Sequence, residues 1–382
     1  MILKLADLPQ KSFCPQRVCP LGAHVDHQHG LVTGFALDKG ITFHYRPSEK
    51  FFLESLAFPG SARFSISHVP PRQGNWGDYL RGAVRSLAAR YELTCGVTGI
   101  FEGSLPVGGL SSSAALIISF LTALCRANGI QISPQELIAV ALEAERDYVG
   151  VHVGILDQSC EVYSKKDHLL YLDTRDQACE LLPRPGNMPP FEIAVFFSGI
   201  ERSLAGSAFN TRVDELKAAA YALKAWSGME YGSFAQTRLR DVPVEVYEKY
   251  RDRLPKNWRK RADHFYSECE RVRKGTEAWR AGDLEEFGSL IFASGASSIH
   301  QYETGSAELK RIFELMKRTP GIYGGRFSGA GFKGCCMALV DPARKEEIAE
   351  RITAGYVKTF PHLQSKFAVY FCRTDNGASQ PG

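Results

Sequence analysis

Residues 104–115, SLPVGGLSSSAA, constrain the fold of this chain more than any other stretch. The segment before it, 95–101 (CGVTGIF), is rich in β-branched and apolar residues and reads as a strand. After it, Ile117, Ile118, Leu121, Leu124 and Cys125 follow Ala114 and Ala115 at helical spacing. A strand that passes through two glycines and three hydroxyls into a helix exposes unpaired N–H groups and the positive end of the helix dipole. Such a turn attracts anions. Glycines let the backbone approach a phosphate, and serine hydroxyls donate to phosphate oxygens or ligate Mg²⁺. An ordinary serine N-cap has the same local sequence, so this loop alone leaves both readings open.

At 382 residues the chain is long for one core, which predicts two domains. The polar stretch 173–190, proline-rich at its end, sets the expected boundary, giving domains 1–185 and 186–382. A net charge of +4 with both signs interspersed argues against a nucleic-acid surface. The N-terminus lacks the pattern of a signal peptide and no apolar run reaches membrane length, so a cytoplasmic protein with no membrane contact is expected. In that setting the ten cysteines read as reduced, mostly buried thiols.

Three further segments carry candidate chemistry. Residues 17–30 (RVCPLGAHVDHQHG) cluster His24, Asp26, His27 and His29 behind Arg17. Imidazole and carboxylate are zinc ligands, but they serve equally well to hydrogen-bond a polyhydroxylated molecule. Probable-strand patterns follow at 31–37, 41–45 and 51–56. Trp76 opens a helix and reads as core packing or as a flat surface for a base. In 154–160 (GILDQSC), Asp157 stands in an apolar stretch, where a carboxylate is paired, capping or working. Residues 256–282 read as a charged helix whose basic side chains face water. A second glycine-rich turn, 324–336 (GGRFSGAGFKGCC), leads into a strand rather than a helix, which argues against a dinucleotide fold.

Taken together, these segments resemble the GHMP kinases, and within them the galactokinase group. Residues 17–30 look like that group's R-V-N-L-I-G-E-H-T-D-Y signature, and 106–115 look like its P-x-x-x-G-L-S-S-S-A phosphate loop, one residue shorter. Residues 154–158 are similar to its G-I-M-D-Q element and 324–335 to its closing glycine-rich loop. The resemblance implies an α+β, two-domain GHMP kinase fold, with an N-terminal domain like ribosomal protein S5 domain 2 and a C-terminal ferredoxin-like domain. It implies an ATP- and Mg²⁺-dependent sugar kinase, with a small-molecule sugar acid and ATP as its partners, acting as a monomer or weak homodimer.

The roles implied by the resemblance are specific. Asp157 matches the carboxylate that accepts the proton of the anomeric hydroxyl, and Arg17 the guanidinium that holds it ionised and neutralises charge on the γ-phosphate. His24, Asp26 and Gly154 match sugar contacts. Pro106, Gly108, Gly109, Leu110, Ser111, Ser112, Ser113 and Ala114 match the nucleotide loop, with Gly329 and Gly331 in the closing turn. Ser112 and Ser113 also match metal contacts, and Trp76 lies in the segment that reaches the adenine.

Four positions depart from the pattern. Ala23 replaces a Glu that binds the 6-hydroxyl, Phe209 a Tyr near the sugar, Lys333 a glycine, and Ile117 a Glu near the metal. A Glu about 4 Å from a substrate carboxylate would cost roughly 1 kcal/mol in water-like surroundings and about 4 at an effective dielectric of 20. Removing it makes room for a C6 carboxylate, and selectivity follows where repulsion is taken away. The L-G-A-H-x-D-H form of the first motif also resembles the galacturonokinases. The expected product is therefore α-D-galacturonate 1-phosphate, with galactokinase and a non-catalytic sugar sensor as the alternatives. Lys333 is open to a role on the carboxylate, on the phosphates, or as a solvated loop lysine.

Overall fold

The computed structural model describes residues 3–106, 108–200 and 207–378. Its first elements are β1 (Gln10–Val18), β2 (Leu31–Ser48), β3 (Phe51–Ser55), β4 (Ser61–Phe64), α1 (Gly77–Ala88), β5 (Gly96–Gly103), α2 (Ser112–Ala127), α3 (Pro134–Glu143) and α4 (Leu156–Tyr163). There follow β6 (His168–Asp173), β7 (Ala178–Pro183), β8 (Glu192–Phe197), α5 (Ser207–Ser227), α6 (Val244–Tyr250), α7 (Lys256–Ala281) and α8 (Leu284–His300). The last are α9 (Ala307–Lys317), β9 (Ile322–Phe327), β10 (Cys335–Val340), α10 (Lys345–Thr359) and β11 (Ala368–Cys372).

Two compact units share these elements. The first takes the chain up to Arg17, then Ala36–Lys166, then the tail from Thr374; the second takes Val18–Phe35 and Asp167–Arg373. The crossing at residue 166 precedes the boundary expected at 185. The reason is β6: it pairs with Leu31–Gly34 of β2, and β7 pairs with β6, so this hairpin joins the second unit ahead of the proline-rich stretch.

In the first unit the strand order is β4-β3-β5-β2, with β1 against β2. The two strands expected at 31–37 and 41–45 are one, because Gly40 does not break the ladder. A Cβ on Gly40 would lie 2.1 Å from the Cys14 carbonyl oxygen, so glycine serves the close approach of β1. Helix α2 is apolar on nearly every side, with Ala114, Ile117, Ile118, Leu121 and Leu124 at 0% exposure, and so becomes core rather than surface. Phe43 stacks on Phe101 with centroids 4.1 Å apart, and Phe120 tilts against Phe43 at 5.9 Å.

The second unit holds a separate antiparallel sheet in the order β11-β8-β10-β9. Helices separate β8 from β9 and α10 separates β10 from β11, the β-α-β-β-α-β plan of a ferredoxin-like domain. Leu309, Ile312 and Phe313 of α9 and Ile348, Ile352 and Tyr356 of α10 bury one face of it. Helix α8 lies close on β9: a Cβ on Gly288 would sit 2.1 Å from the Tyr323 carbonyl oxygen.

The expectation that the basic residues of α7 face water fails at Arg261, which is fully buried. Its guanidinium reaches Glu215 at 2.7 Å and Glu303 at 2.7 Å, so paired charge replaces solvation. Among the described residues no helix is long and apolar enough to cross a membrane.

Candidate active site

In the first unit the loop between β5 and α2 turns through left-handed backbone, with φ of 131° at Gly108, 82° at Gly109 and 58° at Ser111. Val107 lies outside the described residues. Ser111 occupies the N-cap position, yet its side chain does not cap the helix. Its hydroxyl is buried and has no partner among the described residues. The Ser111 side chain is therefore not acting as a plain N-cap. Leu110 and Ala114 are fully buried and anchor the turn, while Ser112 and Ser113 are half-buried.

The end of β1 contacts both this loop and Asp157. Gln16, fully buried, donates from Nε2 to the Ser112 hydroxyl at 2.7 Å. The next residue, Arg17, donates from Nε and Nη2 to Asp157 Oδ1 at 2.8 and 2.6 Å. The arginine side chain is 4% exposed and the aspartate 24%, so the pair is held inside while the carboxylate keeps an open side. Both contacts fall on Oδ1. Asp157 sits in the first turn of α4, where the helix dipole favours a negative charge. Gly154 is buried in the turn that precedes it.

Two carboxylates beside Asp157 were not among the sequence candidates. Glu145, in a π-helical turn at Ala144–Val149, accepts from Gln158 Nε2. Glu161, one helical turn beyond Asp157, is fully buried; Cys14 Sγ lies 3.9 Å from its Oε2, and its Oε1 has no partner among the described residues. Burial first, then the charge of Asp157, pushes the Glu161 carboxyl well above its usual range against the pull of Arg17. The i, i+4 spacing from Asp157 was the available signal for Glu161.

In the second unit the segment from Leu21 to Gly30 is bonded along its length. Leu21 exchanges hydrogen bonds with the Thr33 side chain, its N–H donating to Oγ1 at 3.0 Å and its carbonyl accepting at 2.8 Å. Gly22 has φ of 94°, and a Cβ there would lie 2.4 Å from Val32 Cα, so only glycine fits. Ala23 is 7% exposed. His24 stacks on Tyr302 at 4.3 Å, and His27 Nε2 lies 3.3 Å from the Tyr302 hydroxyl. The rings thus pack against an aromatic partner, and among the described residues no group of three or more His, Cys, Asp or Glu is placed to hold a metal. Asp26 stays partly exposed, and its carbonyl accepts from Thr174 Oγ1 at 3.1 Å. Phe209 meets His27 edge-on at 5.8 Å.

The remaining candidates are Trp76, Gly329, Gly331, Lys333 and Pro106. Trp76 is in the core, 8% exposed, with its indole N–H donating to the Pro59 carbonyl at 3.4 Å; packing is the reading its position supports. The loop before it wraps Asp78, which accepts from the backbone N–H of Gln73, Gly74 and Asn75. Gly329 and Gly331 have φ of 64° and 72°, and Lys333 beside them is exposed. Pro106 is partly buried at the mouth of the first loop.

Comparison with known proteins agrees with this geometry. The family descriptions "GHMP kinases N terminal domain" and "GHMP kinases C terminal" match residues 78–165 and 276–358. The chain is 40% identical over 372 residues to galacturonokinase of Arabidopsis thaliana, covering 91% of this chain and 87% of that protein. It is 32% identical over 369 residues to galactokinase of Roseiflexus sp. strain RS-1, covering 96% and 91%. Its fold is similar to that of Lactococcus lactis galactokinase complexed with galactose, with a TM-score of 0.87 at 27% identity over 98% of this chain and 96% of that one. A mevalonate kinase with 16% identity shares the fold at a TM-score of 0.65 over 96% of this chain and 99% of that one.

Proposed function

The chain belongs to the GHMP kinase family as an ATP-dependent sugar kinase of the galactokinase and galacturonokinase type, and on that premise we propose that its acceptor is D-galacturonic acid, phosphorylated on the anomeric hydroxyl. The observation that carries this reading is residue 23, an alanine on a clamped backbone in the segment that reads the sugar. A carboxylate side chain there would repel a C6 carboxylate; a methyl group does not. The higher identity to a galacturonokinase than to a galactokinase supports the same choice.

In the reaction the anomeric O–H gives its proton to Asp157 Oδ2. The sugar oxygen bonds to the γ-phosphorus as the bond to the β–γ bridging oxygen breaks, and ADP leaves. Arg17 fixes Oδ1 and so presents the other oxygen. Phosphoryl transfer of this kind is loose, so placement and charge neutralisation outweigh proton removal. His24, Asp26 and Gly154 serve the sugar hydroxyls, with Phe209 bordering the sugar in place of a hydrogen-bonding phenol. Lys333 is assigned to the substrate's negative charge. Pro106, Gly108, Gly109, Leu110, Ser111 and Ala114 serve as the triphosphate turn in this reading, Gly329 and Gly331 are read as further nucleotide contacts, and Trp76 supports the adenine segment from the core.

Mg²⁺, when bound, would supply neutralisation of phosphate charge. The hydroxyls of Ser112 and Ser113, half-buried at the start of α2, are hard oxygen donors of the kind Mg²⁺ takes. Ile117 is fully buried in the core and would offer such an ion no ligand.

A panel of galacturonate, glucuronate, galactose, arabinose and N-acetylgalactosamine with ATP tests the substrate. Galacturonate is expected to have the highest kcat/KM; a clear preference for galactose ends the reading. The substitution Ala23→Glu should lower kcat/KM for galacturonate about tenfold or more relative to galactose. An unchanged ratio would mean that position 23 does not meet C6.

A further inference from the structure

Helix α7 was expected to be a solvated helix, yet its inner face carries two buried groups that the reaction does not use. Glu268 is fully buried, and Oε1 accepts from the Gly22 N–H at 2.8 Å and from the Ser294 hydroxyl at 2.5 Å. Its other oxygen accepts from Arg271 Nε at 2.6 Å. Arg326, fully buried at the end of β9, donates to Ser294 at 2.8 Å and to Ser298 at 3.0 Å, and its Nη1 lies 3.6 Å from Glu268 Oε1. One helical turn earlier, His264 lies with Nε2 2.9 Å from the Ala23 carbonyl and Nδ1 2.8 Å from the Ser297 hydroxyl. Since a carbonyl only accepts, Nε2 carries the hydrogen. Helix and loop are also in steric register: a Cβ on Gly275 would fall 2.2 Å from Leu21 Cδ1.

Consecutive backbone groups, the N–H of Gly22 and the C=O of Ala23, are thus gripped by two side chains of one helix. Neither grip is a surface contact that solvent weakens. We propose that Glu268 and His264 are positioning residues for the sugar acceptor: they fix the backbone at residues 22 and 23 and thereby set which C6 group the segment admits, while Arg326 ties the same carboxylate to the strand entering the second glycine-rich turn. The part concerning C6 rests on the proposed reading of residue 23; the part concerning acceptor binding does not. Electrostatics agree with fixed roles. Burial alone would raise the Glu268 carboxyl, but Arg271, Arg326 and the Ser294 hydroxyl oppose it, and the carboxyl lies at about 2. Burial lowers His264 to about 4, so the ring is neutral at neutral pH and keeps one N–H for the Ala23 carbonyl.

The test uses the full-length enzyme with whichever sugar it turns over best. His264→Leu leaves the Ala23 carbonyl without its donor and should raise the sugar KM about tenfold, with the ATP KM within about twofold. His264→Gln, whose amide can donate to the same carbonyl, should recover most of that loss. Sugar and ATP KM rising together, or a folded His264→Leu enzyme with unchanged sugar KM, would overturn the proposal. If His264→Leu does not fold, Ser297→Ala decides: it frees Nδ1 while keeping the ring, and an unchanged sugar KM again overturns it. Combining His264→Leu with Ala23→Glu separates the two readings. The shift in acid-to-neutral preference caused by Ala23→Glu should shrink in the double variant if the grip sets the position of residue 23. An undiminished shift overturns the C6 part of this proposal alone, whereas the absence of any shift in the single Ala23→Glu variant overturns the substrate reading and leaves the KM result standing.

Discussion

Glu161 in the first unit and Glu268 in the second are both fully buried, and they are treated in opposite ways. Glu268 accepts a backbone N–H, a hydroxyl and a guanidinium, with a second guanidinium close by, and is held ionised. Glu161 has a thiol 3.9 Å away and an unused oxygen. The contrast extends to their surroundings. Around Asp157 and the turn after β5, Gln16 Oε1, Ser111 Oγ, Gln158 Oε1 and Glu161 Oε1 have no partner among the described residues. Buried polar atoms are normally satisfied, so such a cluster calls for a cause. Where a charged ligand must be received, donors and acceptors stay open; where a backbone must be held, as at Gly22 and Ala23, they are used up.

The largest effect that would break this comparison lies at Asp157. If its open oxygen accepts the anomeric proton, Asp157→Ala should lower kcat by roughly 10²–10⁴-fold while ATP affinity stays within about twofold. Single-turnover kinetics together with nucleotide titration check it. A variant retaining a tenth of wild-type turnover would make the Arg17–Asp157 pair structural, and the unpartnered atoms near Asp157 would lose their functional explanation.

The open site was more legible in the sequence than the saturated one. The turn after β5 stands out by composition, since glycines and hydroxyls between a strand and an apolar helix point to an anion site or a helix cap. The start of α3 is equally local in its pattern: in Ser133-Pro134-Gln135-Glu136, Ser133 Oγ accepts from the Glu136 N–H at 3.2 Å. The grip on residues 22 and 23 depends on partners more than 240 positions away in the chain, which no local pattern encodes. Helix α7 was misread for that reason: its charges look solvated until Arg261, His264 and Glu268 acquire buried partners. Their spacing of three and four residues was a sign of one common face. β1 was missed because Pro15 and Gln16 interrupt a strand pattern whose last five residues are all buried.

The two carboxylates should also respond to pH with opposite signs. Glu268 lies at about 2 when folded, below its ordinary 4.5, so its stabilisation is present above pH 4.5 and is lost as pH falls toward 2. Glu161 is raised when folded, so its contribution is complete below 4.5 and is lost as pH climbs from there toward the raised value. Glu268→Gln should cost about 3–5 kcal/mol at pH 7, as expected for a buried charge cluster with one member removed, and the cost should narrow in acid. Glu161→Gln should gain stability relative to wild type as pH rises. Denaturant melts at a series of pH values measure both. Parallel slopes for the two variants would erase the distinction between the units.

The smallest effect offers the sharpest contrast, because it changes one hydroxyl in each region. Ser294 serves Glu268 and Arg326, so Ser294→Ala should lower stability by about 1–3 kcal/mol, the penalty for stranding a buried polar partner, and leave the ATP KM unchanged. Ser111 serves no group among the described residues, so Ser111→Ala strands none and should leave stability within about 0.5 kcal/mol. It removes a donor from the phosphate turn, and the ATP KM should therefore rise by several-fold, or about 1 kcal/mol. The two variants are thus expected to exchange phenotypes, one losing stability without nucleotide affinity and the other losing affinity without stability. Should Ser111→Ala destabilise the protein and spare the ATP KM, its hydroxyl is an ordinary cap that binds on folding, and the turn after β5 loses its strongest claim to the triphosphate.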